Sequence, residues 1–226
     1  MSAPTWTVDD MAALVAADIE DGAVVNLGIG LPVRIADHQD PAKEIIFHSE
    51  NGIVGMGPAP AEGEGDPDLI NASKQQVTLL PGAALMHHTD SFVLMRGGHI
   101  DLTVLGAFEV SAAGDLANWS LGDATEPPAI GGAMDLVAGA RRVFVMTTHV
   151  TRDGSPKLRT ACTLPLTGAG VVDRVYTDLA IIDVSPDGFV ASALVEGVTR
   201  EEVQARTDAP LAFAADVRVI PRGFAT

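Results

Sequence analysis

The sequence has one cysteine, few basic residues and no long apolar run. Cys162 stands alone among 226 residues, so an internal disulfide is impossible. No apolar stretch approaches the ~18 residues of a membrane-spanning helix. The N-terminus also lacks a basic segment followed by an apolar one, which is the pattern of a secretory signal. We therefore expect a soluble, cytoplasmic protein that does not enter a membrane.

The shortage of basic residues limits the possible partners. Lys and Arg number 14 against 30 Asp and Glu, a formal net charge of −16. Such a surface repels nucleic acid and anionic lipid, so we expect neither as a partner. An anionic substrate would need a local cluster of Lys, Arg or backbone N–H groups. The 47% hydrophobic and 19% charged content predicts one globular domain over residues 1–226, with some apolar surface left for a partner.

Hydrophobic periodicity predicts strands that alternate with helices. Most of these strands are apolar throughout, which is typical of an α/β sheet covered on both faces, with ligands beyond the carboxyl ends of its strands. Residues 52–73 are rich in glycine, proline and acids and are predicted to form one long irregular loop. Predicted strands cover residues 23–27, 44–48, 76–80, 101–105, 142–147, 178–184 and 188–194, and Pro81-Gly82 is predicted to stop the third. Predicted helices begin near residues 8, 32, 90, 133 and 199. The first and the last have capping-box spacing, between Thr7 and Asp10 and between Thr199 and Glu202. Predicted hairpins turn at 113–115 and 185–187.

A carboxylate stands where an apolar strand breaks into glycine-rich backbone, in "IIFHSENGIVGMGP" at residues 45–58. Glu50 follows the predicted strand, and Asn51 and Gly52 come directly after it. Glycine lets backbone N–H groups approach a ligand closely, so Glu50 could act as a nucleophile or a general base. A solvated glutamate before an Asn-Gly turn is the alternative, and this stretch alone does not decide between them.

Two glycine pairs open predicted helices. The run 28–32, "GIGLP", looks like half of a dinucleotide fingerprint, but Val33 stands where the third glycine would be. A tight strand–helix turn is the simpler interpretation, and a set of N–H donors for an anion is the functional one. The same alternatives apply to Gly131-Gly132.

Basic and metal-binding side chains offer fewer signals. Lys74 and Lys157 are among the few basic residues, and most lysines are solvated surface residues. Lys74 lies at the end of the predicted loop and could neutralise a bound anion. His87-His88 has no third ligand at metal spacing, so no metal site is predicted.

Five segments together resemble the β subunit of the two-subunit 3-oxoacid CoA-transferases, a group that includes succinyl-CoA:acetoacetate and 3-oxoadipate enzymes. The segments are "VNLGIGLP", "SENGIVGMGP", "RGGHIDLTVLGAFEVSAAGDLANW", "GGAMDLVAGARRVFVMTTH" and "CTLPLTG". The resemblance runs from about Thr7 to Phe213 and is most specific in the Ser-Glu-Asn-Gly motif followed by Gly55 and Gly57.

The resemblance implies roles for particular residues. The family's glutamate nucleophile falls on Glu50, and an amide side chain near the reacting carboxylate falls on Asn26. Gly131 matches a backbone N–H of the oxyanion site. Lys74 matches a lysine near the acyl or CoA end, although Ser73 replaces the glycine usual before it. The other oxyanion or substrate-binding positions implied are Gly28, Gly30, Asn51 and Gly52.

The resemblance also implies a fold, partners and a reaction. The fold would be the three-layer α/β/α CoA-transferase fold with a mostly parallel sheet. The partner would be a CoA-transferase α subunit, in a heterodimer or heterotetramer, and the substrates an acyl-CoA and a carboxylic acid. CoA would move between acids through a covalent thioester on Glu50, with no cofactor besides the CoA substrate and no metal.

Other functions remain open from the sequence. An acyl-CoA hydrolase would share the glutamyl thioester but admit water, and an acetate-type CoA-transferase would use the same scaffold. A sugar-phosphate isomerase could use Glu50 as a proton-abstracting base without a covalent intermediate. A non-catalytic regulatory partner would have no need to retain Glu50.

Overall fold

Thirteen strands and five short helices make up the part of the chain that the structure describes. A computed structural model describes residues 4–122 and 129–225. The helices are α1 (Val8–Ala17), a 3₁₀ helix (Leu31–His38), α2 (His88–Arg96), α3 (Ala133–Gly139) and α4 (Arg200–Gln204). The strands are β1 (Val24–Leu27), β2 (Ile46–Ser49), β3 (Ile53–Met56), β4 (Leu79–Leu85), β5 (Leu102–Leu105), β6 (Glu109–Ser111), β7 (Leu116–Ala117), β8 (Arg142–Met146), β9 (Leu158–Arg159), β10 (Arg174–Tyr176), β11 (Ala180–Ser185), β12 (Gly188–Val195) and β13 (Leu211–Ile220).

Ten of the strands form one sheet in the order β13-β12-β11-β10-β8-β5-β1-β2-β3-β4. The five central strands, from β10 to β2, are parallel to one another. Their carboxyl ends therefore meet at one edge, where an α/β sheet places its ligands. Antiparallel pairs extend the sheet on both sides through β3 and β4 and through β11 and β12. A second sheet has three strands in the order β7-β6-β9.

The central strands are buried because helices and loops cover the sheet. All four residues of β5 are buried, and Phe144 and Tyr176 lie fully inside. Continuous apolar strands are what a parallel sheet covered on both faces requires. The helices form separate pairs, since α1 packs against the 3₁₀ helix and α2 against α3. The predicted α/β class is confirmed.

Several predicted elements are confirmed with their caps. Thr7 and Asp10 form a capping box at α1, and Thr199 and Glu202 form one at α4. The predicted hairpins are present as the antiparallel pairs β6–β7 and β11–β12. Both kinds of feature depend on residues close in the chain, which explains why sequence patterns predicted them.

The predicted loop at 52–73 was wrong over its first residues, because Ile53–Met56 is strand β3 between β2 and β4. Gly55 has φ +81 and lies against Ala83 of β4, so an interrupting glycine here serves close strand packing. The predicted stop at Pro81-Gly82 was also wrong, since β4 runs through it. That strand lies at the edge of the sheet, where proline is tolerated.

Two helices differ from the prediction, one in where it begins and the other in its type. Helix α2 begins at His88 rather than at Asp90, because the His87 side chain accepts a hydrogen bond from the Thr89 N–H at 3.3 Å. The segment after Gly30 is a 3₁₀ helix, with Pro32 in its first turn. Strands β10 and β13 were not predicted, and both are held by pairing with distant parts of the chain.

Candidate active site

A cavity of about 500 Å³ lies at the carboxyl edge of the central strands. Its wall is formed by residues at or just after the ends of β1, β2, β5 and β8 and by the first part of α3. Glu50 comes directly after β2 and lines this cavity. Parallel strand ends meet here because β8, β5, β1 and β2 are neighbours in the sheet. The cavity therefore lies beyond the strand ends, where the sequence pattern predicted a ligand site.

The Glu50 carboxylate packs against the backbone of Gly132, one residue before α3. A Cβ atom built on Gly132 would overlap Oε2 of Glu50, and it would also approach Cζ of Phe92 at 3.2 Å. Gly132 has an ordinary right-handed conformation with φ −79°, so turn geometry does not explain the glycine. The absent side chain leaves the space that the carboxylate occupies.

The Glu50 carboxylate is half-buried and has no strong partner among the described residues. Within residues 4–122 and 129–225, no hydrogen bond or ion pair to the Glu50 side chain is formed. Burial raises the pKa of Glu50, Asp135 raises it further, and His88 acts in the opposite direction. A poorly solvated carboxylate without a donor is more basic and more nucleophilic than one at the surface.

A buried network beside Glu50 sets the orientation of Asn26. Its amide nitrogen lies 3.0 Å from His48 Nδ1 and 3.2 Å from the His48 carbonyl oxygen. A carbonyl oxygen can only accept, so both amide hydrogens face His48, and Nδ1 of that ring must accept. The ring proton is then on Nε2, which donates to Ser91 Oγ at 2.8 Å. Burial lowers the pKa of His48 to about 4, which keeps the ring neutral at pH 7.

This network determines what Asn26 offers to the cavity. Both amide N–H groups of Asn26 donate to His48. Asn26 also lines the cavity wall. Its amide oxygen is thus the group available to a ligand. Donation from Asn26 to an oxyanion would require the amide to give up a bond to His48.

The other predicted site residues divide into two groups. Gly28 and Gly131 line the cavity with Glu50 and Asn26. Gly30, Asn51, Gly52 and Lys74 are outside its wall. The predicted roles of all these residues stay predictions.

Three of the residues outside the wall, Asn51, Gly52 and Lys74, have a distinct local contact or backbone conformation. Asn51 donates to the Ile70 carbonyl at 2.7 Å and holds the following loop. Gly52 has φ +119, and a Cβ there would collide with the Met86 carbonyl oxygen. Lys74 is exposed in a turn with φ 62.

Sequence reasoning gave no site role to Gly132, which lies beside Glu50, or to Lys157, which is part of the cavity wall. Gly132 was noted only as a helix-opening glycine, although a small residue beside a helix start is a weak signal of close approach. Lys157 carries no local signal at all. It reaches the cavity because β9 pairs with β6, which brings the chain back to the end of β8.

The comparisons with known proteins agree with one another. A family model described as coenzyme A transferase matches residues 8–206. One subunit of the 3-oxoadipate CoA-transferase of Pseudomonas putida is 55% identical over 202 residues, which are 89% of this chain and 94% of the relative. The corresponding subunit of the succinyl-CoA:3-ketoacid coenzyme A transferase of Helicobacter pylori is 46% identical over 194 residues, covering 86% and 93%.

Solved structures share the fold at low sequence identity. An acyl-CoA transferase from Escherichia coli O157:H7 superposes with a TM-score of 0.76 at 18% identity, covering 97% of this chain and 44% of the other. Glutaconate coenzyme A-transferase from Acidaminococcus fermentans gives 0.68 at 16% identity, covering 97% and 90%. The predicted three-layer α/β/α fold with a mostly parallel sheet is confirmed.

Membrane-spanning and metal-binding features are both missing from the described residues. No helix within residues 4–122 and 129–225 has the length and apolar character needed to cross a bilayer. Across the same ranges, no group of three or more His, Cys, Asp or Glu residues is placed to hold a metal ion.

Proposed function

This chain belongs to the coenzyme A transferase family, and from that premise we propose that it is the β subunit of an enzyme that transfers CoA between an acyl-CoA and a 3-oxo carboxylic acid, with Glu50 as the covalent relay. The observation that carries the proposal is the Glu50 carboxylate, which is half-buried at the end of β2 and free of strong partners among the described residues. The names of its relatives support 3-oxoadipate or another 3-keto acid as acceptor and succinyl-CoA as donor.

The reaction needs three carboxylates and no net water. A Glu50 oxygen attacks the thioester carbonyl, the C–S bond breaks, and an acyl-glutamyl anhydride forms with CoA thiolate. The thiolate attacks the Glu50 carbonyl and releases the first acid as its carboxylate, which leaves a glutamyl-CoA thioester. The second acid then repeats both steps in reverse, so Glu50 is regenerated and no proton is consumed.

The site geometry supports this sequence of steps. Burial raises the pKa of Glu50, and a more basic carboxylate is a better nucleophile toward a carbonyl. Each attack develops an oxyanion, and preorganised N–H donors are often worth ~3 kcal/mol each in such steps. Gly131, in the cavity wall beside Glu50, is the proposed source of one donor.

A partner chain is part of the proposal. Leu85 of the edge strand β4 is 63% exposed and Val93 of α2 is 67% exposed. Exposed apolar side chains on an edge strand or a helix face are a liability unless another surface covers them. An α subunit in a heterodimer or heterotetramer is proposed to provide that cover and to complete the site.

Trapping the intermediate tests the covalent role. The complex with its α subunit is incubated with acyl-CoA alone and then treated with borohydride, which reduces a glutamyl thioester to an alcohol. Trypsin should release residues 44–74 as one peptide, since the chain has Lys43 and Lys74 at its borders and no Lys or Arg between them. Fragmentation should place the mark on Glu50, while Glu44, Glu62 and Glu64 of the same peptide serve as internal controls.

Each competing function predicts another result. An isomerase would leave no mark, because a general base does not bond to its substrate. A hydrolase would give a mark that decays in water as free acid appears. An unmodified Glu50 peptide under conditions of demonstrated turnover would show that the covalent relay is wrong. Ping-pong kinetics in two acids, with only slow hydrolysis, are expected of the transferase.

A further inference from the structure

Lys157 places a positive charge in the wall of the same cavity. Its ammonium donates to Thr147 Oγ1 at 2.8 Å and to the Ala107 carbonyl oxygen at 3.3 Å, and all three residues line the cavity. The Thr147 hydroxyl in turn donates to the same carbonyl at 3.1 Å. These bonds hold the ammonium between the ends of β5 and β8. An ammonium has three donors, so one remains for a ligand.

The charge of Lys157 is not neutralised by the described protein. From residue 4 to 122 and from 129 to 225, no carboxylate lies within ion-pair distance of its ammonium. Burial lowers the pKa of Lys157, and Asp178 counteracts this only in part. A half-buried cation with neutral partners is costly, and an anion beside it would offset that cost.

Glu50 and Lys157 stand at different places along the sheet edge. They are the only charged side chains among the described residues that line the cavity. Glu50 follows β2, whereas the Lys157 ammonium lies at the ends of β5 and β8, two and three strands away. Neighbouring strands are ~4.8 Å apart. The Lys157 ammonium is therefore about 10–14 Å from the end of β2, measured along the edge of the sheet. Leu105, Leu136 and Met146 line the same cavity with apolar surface.

We propose that Lys157 binds the distal carboxylate of a dicarboxylic substrate while the other carboxyl end of that substrate reacts at Glu50. The inference rests on the proposed function and deepens it, because it names dicarboxylates as the preferred acids. A 3-oxo dicarboxylate such as 3-oxoadipate gains a charge-assisted hydrogen bond from Lys157. Acetoacetate has no second carboxylate and gains nothing. Lys157 thus determines specificity between acids that react by the same steps.

The test compares two acceptors with one acyl-CoA donor in the complete complex. Lys157→Met keeps the length of the side chain and removes its charge. The kcat/KM for 3-oxoadipate should fall about 10- to 100-fold, in line with a hydrogen bond to a charged group, while that for acetoacetate stays within about 3-fold. Lys157→Arg retains the charge and should recover part of the loss.

Lys43 provides a matched control. Among the described residues, its ammonium also donates only to uncharged acceptors, the Ala17 carbonyl at 3.0 Å and the Ile19 carbonyl at 2.6 Å, and it lies outside the cavity. Lys43→Met removes the same charge and should leave the ratio of the two kcat/KM values unchanged. An equal loss for both acceptors in Lys157→Met would overturn the proposal and assign Lys157 to CoA phosphate or another shared group. No loss for either acceptor would overturn it too and leave Lys157 a structural lysine.

Binding without turnover separates this proposal from the proposed function. Calorimetric titration of the Glu50→Ala complex with adipate and with hexanoate requires no reaction. Adipate should bind at least about 10-fold more tightly than hexanoate, in line with one charge-assisted hydrogen bond, and adding Lys157→Met should abolish that preference. A preference that persists in the double variant would overturn the assignment to Lys157, whatever the trapping experiment shows for Glu50.

Discussion

Replacing Gly132 by alanine should displace the Glu50 carboxylate while leaving the fold intact. The new methyl group would occupy the place of Oε2, so the carboxylate oxygen must move by about 1 Å to reach an ordinary contact distance. The obstacle is the far end of a side chain, which moves easily, and the Gly132 backbone suits alanine. The free energy of unfolding should therefore change by less than about 1 kcal/mol.

The effect on catalysis should be much larger than the effect on stability. A misplacement of ~1 Å can cost about 100-fold in rate when reacting atoms must be aligned. This corresponds to ~2.7 kcal/mol of transition-state stabilisation at about 1.36 kcal/mol per tenfold change. We expect the loss in kcat, measured in the complete complex by chromatographic detection of the 3-oxoacyl-CoA product, and slower formation of the borohydride-sensitive thioester on Glu50.

Gly65 offers the matched control. A Cβ atom there would overlap Oε1 of Gln76, which is again the oxygen at the end of a flexible side chain, but outside the cavity. Gly65→Ala should cost as little stability as Gly132→Ala and keep full activity. Wild-type kcat in Gly132→Ala would refute the conclusion that the reactive carboxylate must lie against this glycine.

Four further outcomes are expected. Glu50→Gln and Glu50→Ala should fold, assemble and lack transferase activity, and full activity in the alanine variant would contradict the mechanism. Burial raises the pKa of Glu50, so kcat/KM should fall at low pH with an apparent pKa above the ordinary 4.5. An apparent pKa below 4.5 would contradict the burial argument. His48 and His149 are neutral in the fold, with pKa values of about 4, whereas the ordinary value in the unfolded chain is 6.5. Between pH 4 and pH 6.5 the unfolded chain therefore binds more protons than the folded one. The free energy of unfolding should thus decrease as the pH falls from 6.5 to 4, by ~3 kcal/mol for each ring. Urea titrations across that range check this, and His149→Gln should make the decline shallower. Finally, the chain without its α subunit should be inactive and self-associate in size-exclusion chromatography, so an active, monomeric preparation would count against a shared site.

Local features of the chain could be predicted from the sequence alone. The capping boxes at α1 and α4 join residues three positions apart, and the strand before Glu50 is visible as "IIF" followed by polar residues. The position of Glu50 at a strand end was also predictable, since an apolar run that stops at Asn-Gly marks the end of a strand. The identity of Glu50 as the residue to test came from the motif around it.

The sequence by itself thus determined the α/β class, the caps, four of the five central strands (β1, β2, β5 and β8) and the glutamate at a strand end, because each depends on residues near one another in the chain. Only the tertiary structure decided that β4 continues through Pro81-Gly82, that Gly132 makes room for Glu50, and that Lys157 enters the cavity. These features depend on the order of strands in the sheet, which brings the ends of β2, β5 and β8 together from positions 49, 105 and 146. The local sequence pattern does not reveal the order of strands in the sheet, because that order depends on how apolar faces from distant parts of the chain pack together.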